Sequence, residues 1–299
     1  MDNIPRKPEW LKTRLPGGTA YRKIQAALNR TGLHTICREA RCPNLAECFG
    51  EGTATFLILG NICTRNCLYC NVPYGIPGKP DSDEPLKLAE TVRTVGLNYV
   101  VITSVTRDDL PDGGASFFAQ CIGTIRKELP DCGVEVLIPD FRGNDDALRR
   151  VLESRPDVLN HNMEVVPAFF KKLRPGGNYQ TSLKLLENIK SFNEAKAGQV
   201  PVISKSGFML GFGESEEDIS ILLSDLASAG CRSITIGQYQ QPTRSHWSVV
   251  KYYRPEEFEA IKARAYEMGF SHIESGPLVR SSYRAASTLY SCWISKNHI

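Results

Sequence analysis

The chain has 299 residues, 41% hydrophobic and 23% charged, an ordinary globular composition that allows one large domain or two small ones and leaves no room for general disorder. With 36 Lys and Arg against 33 Asp and Glu the net charge is +3, too near balance to argue for nucleic acid as a main partner. Apolar runs such as Tyr99–Val105 fall far short of the ~20 residues a bilayer span requires, and the opening MDNIPRKPEW has no apolar signal core, so a cytoplasmic chain without a membrane span is expected.

Residues 1–20, rich in Pro, Gly, Lys and Arg, read as an extended arm lying on something else. A short helix is expected over Tyr21–Arg30, with Thr19 as N-cap and Gly32 past its end. Six strands follow in order: Thr55–Leu59, Asn98–Thr103, Val134–Ile138, Val158–Asn162, Val202–Leu210 and Ser233–Gly237. Helical patterns alternate with them at 85–96, up to Leu129, Asp145–Glu153, Tyr179–Lys196, Ser215–Ala229 (with a Ser-Glu-Glu-Asp capping pattern) and Pro255–Met268.

Repeated strand–helix units imply a parallel sheet with right-handed crossovers and helices outside. Six units are too few for an eight-stranded closed barrel, and no Gly-rich dinucleotide fingerprint follows the first strand. The expected fold is α/β, a partial (βα)6 TIM-like barrel over residues 53–270. It carries an N-terminal extension over 1–52 and a C-terminal extension over 271–299. Ligands of such folds sit at the carboxyl ends of strands.

Ten cysteines are present, and six lie between Cys37 and Cys70, where even spreading would put about one. A secreted disulfide scaffold is short and poor in core residues, unlike this chain, so the cluster points to metal ligation in a reducing compartment. Cys63, Cys67 and Cys70 follow the first strand with C-x3-C-x2-C spacing. Thiolates are soft ligands suited to iron–sulfur clusters or zinc. Structural zinc wants four ligands, usually from paired C-x2-C knuckles, and only one such pair exists here. Three thiolates on a four-iron cluster leave one iron open to a small molecule. With Tyr69 just before the third Cys, this loop resembles that of the radical S-adenosylmethionine (SAM) superfamily. There SAM chelates the open iron through its amino and carboxylate groups, and an electron from the cluster cleaves it to methionine and a 5′-deoxyadenosyl radical that abstracts hydrogen from unreactive C–H bonds.

A second triplet, Cys37, Cys42 and Cys48, has C-x4-C-x5-C spacing. By spacing alone it is equally a cluster or zinc staple for the N-terminal segment, and Cys292 is the natural chemical guess for a fourth ligand. The pair CREARCPNLAEC and CTRNCLYC, about 15 residues apart, resembles the lipoyl synthase family. So, in order, do KPEWLK, TSVTRDDLPDGGA, FRG, LNHNMEVV, RPGGNYQTSL, KSGFMLGFGE, GQYQQPT and GPLVRSSY, across nearly the whole chain. The resemblance implies that Cys63, Cys67 and Cys70 hold a SAM-cleaving 4Fe-4S cluster. It implies that Cys37, Cys42, Cys48 and the second serine of RSSY, Ser282, hold an auxiliary 4Fe-4S cluster sacrificed as sulfur donor. The implied reaction inserts two sulfur atoms at C6 and C8 of an octanoyl-lysine. The implied substrates are lipoyl carrier domains (2-oxoacid dehydrogenase E2 or glycine cleavage H protein). A reductant such as ferredoxin or flavodoxin and an iron–sulfur cluster carrier would serve it.

Thr106, Arg107, Asp108 and Asp109 follow the second strand, where the superfamily often has Gly-Gly-Glu; the motif is missing here, and Thr106 is the candidate SAM contact. Asn162 and Glu164, after the fourth strand, are further candidates. So is Lys205, a charge inside a strand that must reach a polar lumen or a carboxylate. Gln238 and Gln240, after the sixth strand, have the groups to bond adenine or ribose. Gly211 and Gly213 read as turn glycines, the five histidines as ordinary hydrogen-bonding groups, and Cys121, Cys132 and Cys231 as small apolar residues. Rival readings are a methylthiotransferase or biotin-synthase-like sulfur inserter, and a non-catalytic zinc or electron-transfer protein. The order of the two triplets and the closing RSSY disfavour the first.

Overall fold

The computed structural model describes residues 7–12, 17–40, 42–50 and 53–294. Its eight strands form one sheet in chain order: β1 His34–Thr35, β2 Thr55–Ile58, β3 Tyr99–Ser104, β4 Gly133–Leu137, β5 Val158–Asn160, β6 Ile203–Leu210, β7 Ser233–Gln238 and β8 His272–Gly276. Strands β2 to β8 run parallel, each to the next, and β1 pairs antiparallel with β2, His34 opposite Leu57. Ahead of β2 lie α1 Thr19–Thr31, α2 Ile36–Glu39 and α3 Leu45–Gly50. The crossovers use α4 Glu84–Val95, α5 Ala115–Glu128, α6 Asp145–Glu153, α7 Pro167–Leu173 with α8 Tyr179–Ala195, α9 Glu216–Ser228 and α10 Pro255–Glu267. Helix α11, Ala285–Ile294, closes the described chain.

The six expected strands are β2 to β7, and the partial TIM-like barrel stands. Two flanking strands and α7 were missed. The sheet also runs past residue 270, because β8 pairs with β7 from Ser233–His272 to Gly237–Gly276. Thr19 is the first residue of α1 rather than its cap, whereas Gly32 ends that helix in the left-handed region at φ 70. The capping pattern before α9 is real: Ser215 accepts from the Asp218 amide and the Asp218 side chain returns to Ser215. Of the arm, Trp10 Nε1 donates to the Tyr253 carbonyl at 3.2 Å and Leu11 is buried, so this stretch does lie on the barrel. Residues 1–6 and 13–16 lie outside the described residues.

Alternate strand residues face the helices and join one core. Val100, Ile102, Val134 and Val136 pack with Leu88 and Val92 of α4 and Phe118 and Ile122 of α5. Each such burial contributes about 1.5–3 kcal/mol. The lumen side is polar at depth. Lys205 Nζ meets Glu135 Oε1 at 2.9 Å, both side chains fully buried, and the Tyr99 hydroxyl donates to Glu135 Oε2 at 2.9 Å. Lys205 is the third residue of an eight-residue strand, so it lies toward the amino end, away from the loops where ligands bind. The expectation that it contacts SAM is corrected: its charge is spent on Glu135. Helix α11 packs at that same amino end, Leu289 against Val158 and Ile203, Ser287 Oγ 3.1 Å from His272 Nε2.

Candidate functional site

The loops after β2, β3 and β4 are drawn together by Arg65, inside the C-x3-C spacing. Its buried guanidinium donates to Asp108 at 2.7 and 2.9 Å and to Asp140 at 2.7 Å through two nitrogens. Burial works against the Arg65 charge, but the two carboxylates outweigh it, and Arg65 in turn holds Asp140 down at about 2. Asp108 is therefore a brace. Arg107 is one as well: it is buried, donates to the Leu59 and Gly78 carbonyls at 3.0 and 2.9 Å, and pairs with Asp109 at 2.8 Å. Of that expected quartet only Thr106 faces the cavity described next.

A cavity of about 490 Å³ opens at the carboxyl ends of the strands. Its wall holds both triplets, Cys37, Cys42 and Cys48 with Cys63, Cys67 and Cys70, and also Tyr69, Thr106, Asn162, Glu164, Gln240 and Ser282. Residues far apart in sequence meet there through specific bonds. Asn71, next to Cys70, donates to the Glu39 carbonyl at 3.1 Å and so joins the two cysteine segments. Asn44, between Cys42 and Cys48, donates to the Leu278 carbonyl, and the Tyr283 hydroxyl donates to Glu47 at 2.9 Å. These two bonds hold the RSSY turn against the auxiliary triplet. Gly237 makes room for that turn, since a Cβ there would drive into the Val279 carbonyl.

Burial keeps four of the ligand thiols protonated until a metal displaces the proton. Burial pushes the Cys37 thiol up to about 11 and Cys70 to about 12. It raises Cys42 against an opposing Arg280, and Cys67 against an opposing Arg174. Each triplet thus has an arginine beside it, Arg174 buried and Arg280 part-buried, and metal binding must release protons from these thiols. Glu164 is raised by burial and pulled down by Arg174, Asn162 and Arg280. Its backbone sits at φ 70 and is strapped to β6 by bonds to Gly207 and Met209. Asn162 Nδ2 donates to Glu164 at 3.0 Å and to Ser281 Oγ at 2.6 Å.

The residues present fit two clusters and a polar cofactor. Six soft donors in two triplets are the right chemistry for iron–sulfur ligation. Four buried polar atoms on the wall are left without a partner: Asn44 Oδ1, Ser104 Oγ, Asn162 Oδ1 and Gln240 Nε2. Among the described residues no three His, Cys, Asp or Glu side chains converge on one ion position. A four-iron cluster, whose ligands bind separate irons, does not ask them to.

Several expectations change. Gln238 is not a ligand contact, because its amide donates to the Leu210, Tyr239 and Lys251 carbonyls and accepts from the Tyr253 amide. His161 is buried between the Ile138 carbonyl and Ser182 Oγ, both at 2.9 Å. Cys121, Cys132 and Cys231 are buried within the core. The side chain of Cys292 lies outside the described residues. Sequence reading missed Arg174, which follows Phe169-Phe170-Lys171-Lys172-Leu173, and Arg280, which follows Pro277-Leu278-Val279; nothing in either stretch sets the arginine apart from an ordinary surface charge.

The radical SAM superfamily model matches residues 57–226, and that of the N-terminal domain of lipoyl synthase of the radical SAM family matches 2–42. Among solved structures, methylornithine synthase (PylB) superposes with TM-score 0.56 at 14% identity, covering 84% of this chain and 69% of that one. SuiB of Streptococcus suis, bound to its precursor peptide, gives TM-score 0.55 at 11% identity, covering 86% and 53%. At these identities the likeness concerns the fold. In sequence the chain is 52% identical over 286 residues to lipoyl synthase of Shewanella denitrificans, covering 95% of this chain and 87% of that protein. It is 50% identical over 279 residues to lipoyl synthase of Rubrobacter xylanophilus, covering 93% and 85%. With the fold, the two triplets and the RSSY turn in one cavity and this degree of identity, the chain belongs to the lipoyl synthase family of the radical SAM superfamily.

Proposed function

We propose that the protein is a sulfurtransferase that inserts two sulfur atoms, at C6 and C8, into an octanoyl chain amide-linked to a lysine of a carrier protein. One observation carries this reading: both cysteine triplets and Ser282 line a single cavity, so a radical source and a sulfur source share one chamber. Cys63, Cys67 and Cys70 would hold a four-iron cluster able to supply the electron for SAM cleavage, and Cys37, Cys42, Cys48 and Ser282 would hold one able to supply sulfur.

The chain's own residues hold and shield these groups. Arg174 and Arg280 offset the charge of the thiolates beside them. Glu164, within electrostatic reach of Cys67, and Asn162 line the wall as the groups to meet a polar, cationic cofactor, with Tyr69, Thr106 and Gln240 completing its contacts. Leu57, Val105, Leu137 and Met209 give the same cavity an apolar side for an acyl chain and exclude water from it. Ser282 offers an alkoxide, harder than a thiolate, which suits a cluster that must come apart.

The three-part division at 1–52, 53–270 and 271–299 is kept as a functional one: auxiliary segment, radical barrel and the segment bearing Ser282. The carriers we propose are E2 lipoyl domains or the glycine cleavage H protein, with ferredoxin or flavodoxin as reductant and a cluster carrier for repair. The setting is the reducing cytoplasm. No helix among the described residues is long and apolar enough to cross a membrane.

The test incubates reduced, anaerobic protein, carrying about eight irons per chain from two four-iron clusters, with SAM and an octanoyl-lysine peptide. 5′-Deoxyadenosine and a mass gain of two sulfurs are expected; SAM cleavage without sulfur insertion would refute the reading. Ser282→Ala should still cleave SAM while forming at least tenfold less lipoyl product, a barrier rise of about 1.4 kcal/mol.

A further inference from the structure

Three segments at the carboxyl end of the barrel, residues 60–80, 165–178 and 238–255, contain no Asp or Glu. At the chain's average of 33 acidic residues in 299, about six would be expected there. The three segments are knit into one surface. The Leu68 amide donates to the Leu173 carbonyl at 2.9 Å, the Trp247 amide to the Leu68 carbonyl at 3.0 Å, and His246 Nε2 lies 2.9 Å from the Cys70 carbonyl. Lys172 Nζ stands 4.4 Å from the Trp247 ring centroid. The surface borders the cavity directly, since Asn71, Val72, Gln241 and Pro242 line it and are part-exposed.

Its basic groups are available. Lys79, Lys171 and Arg244 are exposed, and none has an acidic partner among the described residues. Large apolar side chains stand among them: Tyr74 is 63% exposed, Ile76 94% and Val250 62%. The loop that presents Tyr74 and Ile76 is nonetheless fixed. Cys63 donates to the Pro73 carbonyl at 2.8 Å, Gly75 returns to the Cys63 carbonyl at 3.0 Å, and Arg107 holds the Gly78 carbonyl at 2.9 Å. A rigid loop that leaves apolar side chains in water beside unpaired cations has the makeup of a docking surface.

We infer that this surface docks the folded carrier domain, through an acidic face surrounding its acylated lysine. Charge complementarity selects that occupant: three segments without a carboxylate, carrying exposed cations, attract an acidic partner and steer it to the cavity mouth. The inference rests on the sulfur-insertion reading and names how its macromolecular substrate is recognised.

The experiment compares an isolated octanoylated lipoyl domain with an octanoyl-lysine tripeptide as substrates of the cluster-loaded enzyme. It also measures binding of the fluorescein-labelled domain by anisotropy. Lys171→Glu/Arg244→Glu should raise the KM and Kd for the domain at least tenfold, leaving kcat, tripeptide KM, iron content and SAM cleavage unchanged. The milder Lys171→Gln/Arg244→Gln should give a smaller rise in the same direction, and Ile76→Asp should also weaken domain binding. Added salt should weaken the domain and spare the tripeptide. Unchanged domain binding in the charge-reversed variant, or an equal loss for both substrates, overturns the inference. Wild-type protein that binds the domain but inserts sulfur into neither substrate would overturn the functional reading and leave the docking surface standing.

Discussion

Asn162 is the residue at which the two halves of the cavity touch. One amide hydrogen reaches Glu164, on the loop after β5, and the other reaches Ser281, beside the proposed ligand Ser282. Asn162→Ala removes both bonds, and each is worth about 0.5–1.5 kcal/mol, more if Glu164 is ionised. It should raise the ratio of 5′-deoxyadenosine formed to sulfur inserted at least fivefold, because the RSSY turn loses an anchor. An equal fall in both quantities would show that Asn162 serves SAM alone. His161, one residue earlier, faces the other side of the strand end and makes a different prediction. Burial and then Arg174 push its imidazole down to about 4. The folded state therefore keeps it neutral while the unfolded chain takes up a proton near pH 6.5. Stability is complete above pH 6.5 and declines as pH falls toward 4, by roughly 1 kcal/mol at pH 5.5. Urea unfolding at pH 7.5 and 5.5 should show this decline, and His161→Gln should lessen it. Asp140, held down at about 2, loses its contribution only below about pH 3.8, so the two windows do not overlap at pH 5.5.

Between elements, the most consequential pairing is β4 with β6 through the lumen. Lys205 and Glu135 are both fully buried, and Tyr99 of β3 adds its hydroxyl to the same carboxylate. Removing one charge strands the other: Lys205→Met should cost about 3–5 kcal/mol. Lys205→Met/Glu135→Leu should recover most of that loss, as an apolar pair of similar volume. Urea midpoints of the three proteins check this, and SAM cleavage by the double variant should stay within twofold of wild type, since neither residue lines the cavity. The cost of a bare charge inside a strand marked Lys205 correctly as a residue that reaches the lumen and a carboxylate. It carries no information about depth, so a charge near the floor and one at the rim look alike in sequence. Gln238 misled for a related reason: a polar residue at a strand end is equally able to clasp three backbone carbonyls of its own loops.

Across the whole molecule, the barrel converts order along the chain into position around one chamber. The strand–helix alternation was legible because Val- and Ile-rich buried strands and capped amphipathic helices carry their own periodicity. The six clustered cysteines were legible because ligands a few residues apart need only a loop to converge. Strand β1 has two residues and no period to read. Strand β8 is short and polar, with His, Glu and Ser in its five residues, and it forms only because β7 offers it an edge. The arginines beside the triplets were unreadable for the same reason, since their partners arrive from other loops.

What the sequence determined by itself is therefore the local chemistry: two thiol triplets, their spacing, and the parallel scaffold that carries one of them at a strand's carboxyl end. Tertiary structure alone decided which distant groups join them. Asn44 meets Leu278 and Tyr283 meets Glu47 across more than 200 residues, while Lys205 sinks to the floor and leaves the cavity to Asn162 and Glu164. The physical reason is one of range. Backbone propensity and ligand spacing act over a few residues, whereas burial and ion pairing are settled only when the sheet has brought its loops to one end.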